Sequence, residues 1–135
     1  MAGALADYGL SLEPGYVQNG EHNQETAKNL AWQLLKAPVP PTAIFAASDT
    51  QALGVMQAAR ELALRIPEDL SVIGFDDIEV ADHINLTTIR QPLFTSGRKG
   101  IHMLLQTLET IPAEPPREEL AVDLIQRHTT APPSR

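Results

Sequence analysis

The chain contains no cysteine. Disulfides, thiol catalysis and cysteine-ligated metal centres are therefore excluded from the outset. Aromatic residues are scarce, with one Trp, two Tyr and three Phe. Basic residues are in the minority: ten Lys and Arg stand against seventeen Asp and Glu, a formal charge of −7. Neutralising nucleic-acid phosphates takes a basic face, so these 135 residues are not expected to bind DNA themselves. Long apolar runs are missing as well. The longest stretch without a charge, from Ala37 to Ser48, is twelve residues with three prolines, too short to span a bilayer. No basic region followed by an apolar run marks the amino terminus as a secretory signal, and a cytoplasmic location with no membrane partner is expected.

Catalytic signatures are also lacking. There is no GxSxG elbow beside any of the four histidines, and no GxxxxGK[ST] or GxGxxG cradle for phosphates. Asp76, Asp77, Asp82 and His83 match no specific metal-ligand spacing and are read as a solvated acidic loop. His102 is read as a surface residue. The expectation is a binding protein that is not an enzyme and holds no cofactor or metal.

What is present is an alternation of helical and strand-like periodicity. Met1 to Leu10 resembles the tail of a helix closing at Gly9, and Tyr16-Val17 is a weak strand candidate. Ala27, Leu30, Ala31, Leu34 and Leu35 recur at helical spacing, predicting a helix over 24–36 that Pro38, Pro40 and Pro41 terminate. Ala43 to Ala47 is a continuous apolar run, as expected for a strand covered on both faces. Ser48-Asp49-Thr50 can cap a following helix over 49–63, with Ala52, Leu53, Met56, Ala59 and Ala63 as its apolar stripe. Further strands are expected at 70–75 and 86–90. A helix is expected over 97–109, entered through Thr95 or Ser96, then a Pro-rich loop from Pro112 to Pro116 and a last strand near 119–126. From Thr129 onward, the pattern disappears and a loose tail is expected. Buried strands alternating with helices predict an α/β three-layer sandwich with a mostly parallel sheet.

In an open parallel sheet, ligands bind beyond the carboxyl ends of the strands. Three such ends carry polar groups: Ser48-Asp49, Asp76-Asp77 and Arg90-Gln91. Short carboxylates and amides converging there suit a ligand with several hydroxyls. The alternative left open is that Asp49 and Asp77 merely cap the next helix.

Four ordered motifs then carry a resemblance. They are PTAIFAASDTQALG from Pro41 to Gly54, IPEDLSVIGFDD from Ile66 to Asp77, LTTIRQP from Leu86 to Pro92 and LIQRHT from Leu124 to Thr129. In order and spacing they resemble the effector domain of the LacI/GalR family of bacterial transcription regulators. The resemblance implies a periplasmic-binding-protein-like fold of type I and a chain that is the carboxy-terminal part of that domain. It also implies that residues 94–118 cross to a subdomain that is missing here. Operator DNA would be bound only through an amino-terminal domain absent from this chain. By the same resemblance Ser48, Asp49, Asp76, Gln91 and, more loosely, His22 are ligand-binding positions for a small sugar-like effector. Leu53, Met56 and Gln57 are placed in a homodimer interface, with a core role for Met56 as the alternative. A solute-binding protein of the same fold is the alternative function. Ala63 departs from the family's usual Gly at a left-handed helix end.

Overall fold

A computed structural model describes residues 2–109 and 114–133. Met1, 110–113 of the linker (including Pro112 of the expected Pro-rich loop) and 134–135 of the tail lie outside the described residues. The elements are α1 (Ala2–Ala6), α2 (Gln24–Leu35), β1 (Ala43–Phe45), α3 (Asp49–Glu61), β2 (Ser71–Asp76), α4 (Glu79–His83), β3 (Thr87–Arg90), α5 (Leu93–Glu109) and β4 (Asp123–Ile125). The strands form one open sheet in the order β1-β2-β3-β4. β1, β2 and β3 are parallel, and β4 runs antiparallel to β3. The α/β class and the mostly parallel sheet agree with the expectation.

Local chemistry sets the two principal helices. Asn23 caps α2 by accepting from the Thr26 N–H, and Ser48 caps α3 by accepting from the Gln51 N–H at 3.2 Å. The two helices approach closely at Gly54, where an added Cβ would collide with the Gln24 carbonyl and sit 2.8 Å from the Lys28 nitrogen. α3 covers β2, and the core is the contact of Ala52, Val55, Ala58 and Ala59 with Leu70, Val72, Ala81 and Leu86. Small residues on the helix let it lie close to the sheet, while the branched strand residues fill the space between.

α3 ends as the resemblance implies, with Ala63 at φ +56. The Leu64 N–H returns to the Ala59 carbonyl and the Ala63 N–H to that of Arg60, a Schellman closure that calls for the left-handed residue. Alanine is strained there. Ala63→Gly is expected to stabilise the protein by about 1 kcal/mol in urea unfolding, and a destabilised variant would show that the turn relaxes at no cost.

Several expectations are corrected. Tyr16-Val17 is not a strand; Pro14–Tyr16 is a single 3-10 turn, since no neighbouring strand offers a ladder. β1 is not covered on both faces: Ala43 and Phe45 are exposed, because β1 is the sheet's outer strand and Phe45 shares an open face with Ile73. Across that face Leu5, Leu10 and Leu12 line a cavity of about 580 Å³ rather than closing on the strand. α5 begins at Leu93, one turn earlier than expected, directly after Pro92, whose fixed φ suits a helix entrance. β4 is confined to the three residues that pair with β3. Part of the acidic loop is helical, as α4, which buries Ala81 completely.

The tail correction is the largest. Thr129 is 3% exposed. Its hydroxyl accepts from the Thr87 N–H at 2.8 Å and donates to the Val72 carbonyl at 2.7 Å, while its own carbonyl accepts from the Val72 N–H. Ser71 and Ala131 exchange two further bonds. Residues 129–131 thus close the amino ends of β2 and β3, where the strands would otherwise present unpaired backbone groups. In contrast, Ile101, Leu104, Leu105 and Leu108 on α5 remain exposed.

Candidate functional site

The three polar strand ends lie along the carboxyl edge of the sheet, but they do different work. Asp49, the first residue of α3, is completely buried. Its Oδ1 accepts from the Thr88 hydroxyl at 2.5 Å and its Oδ2 from the Ile78 N–H at 2.9 Å. Room for the carboxylate exists because Gly74 has no side chain; a Cβ there would overlap Asp49 Oδ1. Asp49 therefore ties α3, β3 and the β2–α4 turn together and is sealed from ligand, which corrects its expected place among the contacts. Ser48 is nearly buried, and its hydroxyl is engaged as the α3 cap.

Asp76 and Gln91 are brought together. Gln91 Nε2 donates to Asp76 Oδ1 at 2.7 Å, and both residues are half-buried. Among the described residues no protein group donates to Asp76 Oδ2, so one carboxylate oxygen and the Gln91 carbonyl remain for a ligand. Asp76 adopts φ +115 and Asp77 φ +55, two successive left-handed residues without glycine.

Behind this pair, Asp77 is almost fully enclosed, its side chain 6% exposed. Its Oδ1 accepts from Arg127 Nη2 at 2.8 Å and its Oδ2 from Arg90 Nε at 2.6 Å. Arg127 also donates to the Leu86 carbonyl. Burial pushes the Asp77 carboxyl up, but the hydrogen bonds from Arg127 and then Arg90 outweigh it, leaving the carboxyl below its ordinary value of 3.8. Just before the amino end of β2, Asp69 is held at about 2 by hydrogen bonds from the Arg65 side chain and backbone.

Both carboxyls bind a proton less readily in the folded than in the unfolded chain. The stability they contribute is present above the ordinary carboxylate value and is lost as the pH falls below 3.8 through the folded values. Urea unfolding measured from pH 6 down to 2 is expected to show this acid limb. In Asp77→Asn the limb should shrink to the Asp69 part. A variant with an unaltered slope would remove Asp77 from the account.

His22 makes no hydrogen bond to Asp76 or Gln91. It is exposed, at φ +51, in the loop before α2. There it lines a cavity of about 290 Å³ with Gln51, Ala46, Ala47 and the α2 face of Ala27 and Leu30. Gln51 is buried against Gly20 in the same loop. Among the expected interface residues, Met56 packs against the core, Leu53 is half-buried outside it, and Gln57 donates to Glu61 on its own helix. Arg90 stands at one of the three polar strand ends that the sequence marks, whereas Gln51, Thr88 and Arg127 have no such mark. Of these three, Gln51 carries a local signal, its place in the first turn after a strand end; Thr88 and Arg127 are identified only by their tertiary partners. Among the described residues no three His, Asp or Glu side chains gather as metal ligands, and no helix is long and apolar enough to cross a membrane.

Comparison with known proteins identifies the fold and its family. A family model described as "Periplasmic binding protein-like domain" matches residues 1–130. The chain is 40% identical over 108 residues to the HTH-type transcriptional repressor CytR of Escherichia coli (strain K12), covering 78% of this chain and 32% of the repressor. It thus spans about a third of that relative's length. Among solved structures it is similar to a regulatory protein of the LacI family from Chloroflexus aggregans. The TM-score is 0.82 at 35% identity, over 96% of this chain and 47% of that one. It is also similar to a transcriptional regulator CelR–cellobiose complex, with a TM-score of 0.85 at 31% identity over 94% of this chain and 39% of that one.

Proposed function

The chain belongs to the periplasmic-binding-protein-like domain family in its LacI/GalR form, and from that premise we propose that it is the ligand-sensing part of a cytoplasmic transcription regulator. The observation that carries the reading is the Asp76–Gln91 pair at the carboxyl edge of the sheet. A carboxylate with an uncommitted oxygen beside an amide that can donate and accept matches neighbouring hydroxyls on one small molecule. Sugars present such hydroxyls, and the similarity to a regulator in complex with cellobiose supports that class. His22 would contribute from the loop before α2, while Ser48 and Asp49 build the site from behind. Binding, not catalysis, is the proposed activity.

In this reading the ligand favours one of two arrangements of a cleft. In a homodimer contacting through the exposed part of α3, with Leu53 at its centre, that shift alters the placement of separate DNA-binding domains. A chain of charge −7 suits this division, leaving phosphate contact to other residues.

The test is an NMR-detected titration with cellobiose and with ribose into the millimolar range. Shifts at Asp76 and Gln91 are expected. Asp76→Ala is expected to weaken the affinity by the cost of a charge-assisted hydrogen bond, about 1.5–3 kcal/mol, or roughly tenfold to 150-fold. Equal affinity in the variant would remove Asp76 from the site, and silence toward both sugars would overturn the sugar class.

A further inference from the structure

Asp76 and Gln91 are neighbours across two strand ends, and each is followed or preceded by a residue of one ion cluster. Asp77 follows Asp76, Arg90 precedes Gln91, and the two are joined at 2.6 Å. The ladder places Asp76 opposite Arg90 in register, so the two diagonals of this small square are Asp76–Gln91 and Asp77–Arg90. Arg127, arriving from the segment after β4, closes the cluster from the other side and is itself largely enclosed, its side chain 13% exposed.

We propose that Asp77 is a positioning residue: clasped by Arg90 and Arg127, it holds Asp76 and Gln91 as one hydrogen-bonding pair facing the ligand. The inference rests on the ligand-sensing reading for its purpose, but its geometry is independent of which ligand binds. Three observations carry it. Both oxygens of Asp77 are already taken by guanidinium groups, and the side chain is shut away from solvent, so it is no ligand contact itself. The backbone at 76 and 77 is left-handed at two non-glycine residues in a row, a conformation that persists only where the surroundings over-determine it. Finally, the partners that could over-determine it come from three separate places in the chain: the end of β2, the end of β3 and the segment beyond β4. Without the clasp, Asp76 would relax toward ordinary backbone angles, and its carboxylate would swing away from the Gln91 amide.

The experiment uses NMR on the full 135-residue chain. The three-bond HN–Hα coupling of Asp76 reports its φ, and hydrogen exchange of the Gln91 side-chain amide reports its bond to Asp76. Asp77→Asn and Arg127→Met are compared with Asp69→Asn, which breaks an ion pair remote from the site. In the two clasp variants the Asp76 coupling should change, and Gln91 amide exchange should accelerate by about tenfold, the loss expected for one hydrogen bond. The Asp69 variant should leave both untouched, a separation that a merely stabilising role would not produce. Should Asp77→Asn or Arg127→Met fail to fold, Arg90→Met, at a side chain 53% exposed, takes their place. A folded variant with unchanged coupling and exchange overturns the proposal. Cellobiose serves as the probe in a parallel titration. If the wild-type chain binds it, the clasp variants should bind at least about tenfold more weakly, and equal affinity would overturn the positioning role. If the wild-type chain does not bind it, cellobiose is not its ligand, and the coupling and exchange data still decide the role of Asp77.

Discussion

Asp49→Ala is expected to destabilise the protein by about 3–5 kcal/mol, measured by urea unfolding followed by circular dichroism. The magnitude follows from the two groups the carboxylate serves. The buried Thr88 hydroxyl and the part-buried Ile78 N–H both end on it, and its removal leaves each without a partner. An unsatisfied buried donor costs about 1–3 kcal/mol, more where the lost partner was charged. The favourable placement of an acid in the first turn of α3 disappears as well. A loss below about 1 kcal/mol would mean that water replaces the carboxylate.

The same site contains its own control. Gly74→Ala alone is expected to cost about 2–3 kcal/mol, because the new methyl lands on Asp49 Oδ1. Leu86 Cδ2, at 3.0 Å from that methyl, is the tip of a flexible side chain and can yield by a few tenths of an ångström. In the Asp49→Ala background the carboxylate is gone, so the methyl enters vacated space and its cost should largely vanish. The double-mutant cycle is therefore expected to be strongly non-additive. Additivity within about 0.5 kcal/mol would show that Gly74 is required for some reason other than Asp49.

Gly54→Ala sets two effects of opposite sign against each other. Alanine is the better helix former by about 1 kcal/mol, so an isolated α3 would gain from the change. Packing points the other way. The added Cβ meets the Gln24 carbonyl and the Lys28 nitrogen, both of them main-chain atoms of α2, with Ala27 Cβ at 3.2 Å. Main chain cannot rotate aside as a side chain can, so α2 must retreat as a body, stretching the 3.6 Å contact of Lys28 with Glu61. Overpacking of this kind costs about 3 kcal/mol or more, which exceeds the propensity gain. A net destabilisation of about 2 kcal/mol or more is expected in urea unfolding. A stabilised variant would place the helices farther apart than described.

The parts of the fold legible in the sequence are those whose signals are local. The stripe from Ala27 to Leu35 and the prolines beyond define α2 in any context, and Ser48 with the residues after it does the same for α3. Leu70 to Phe75 and Leu86 to Arg90 read as strands, and α3 covers the face of β2 that carries Val72, while Ile73 stays half-buried on the open face. Ala43 to Ala47 carries an equally apolar pattern, yet exposure depends on what lies alongside, and nothing within the run says that it forms an outer strand. Tyr16-Val17 has the residue types of a strand but no partner to complete a ladder. α4 is too short for periodicity to show and is fixed by the burial of Ala81.

The site divides in the same way. Asp76 and Gln91 were legible from position, at the carboxyl ends of recognisable strands. The burial of Asp49 was not, because it depends on a glycine 25 residues later making room and on a threonine in β3. Nor was the clasp, since Arg127 looks like any charged residue near a tail until its partners 50 and 41 residues away are seen.

Thr129 gives the order of synthesis a structural meaning. A ribosome delivers β1, β2 and β3 well before it delivers the residue that completes them. Until then the Val72 and Thr87 amides at the amino edge have no protein partner, and the sheet is an unfinished template. The closing contacts span 42 and 57 residues of chain, so they form only long after the strands they complete have been made. The nascent protein must therefore carry an open strand register until the chain 57 residues beyond Val72 is made, a period in which another chain can pair where Thr129 belongs.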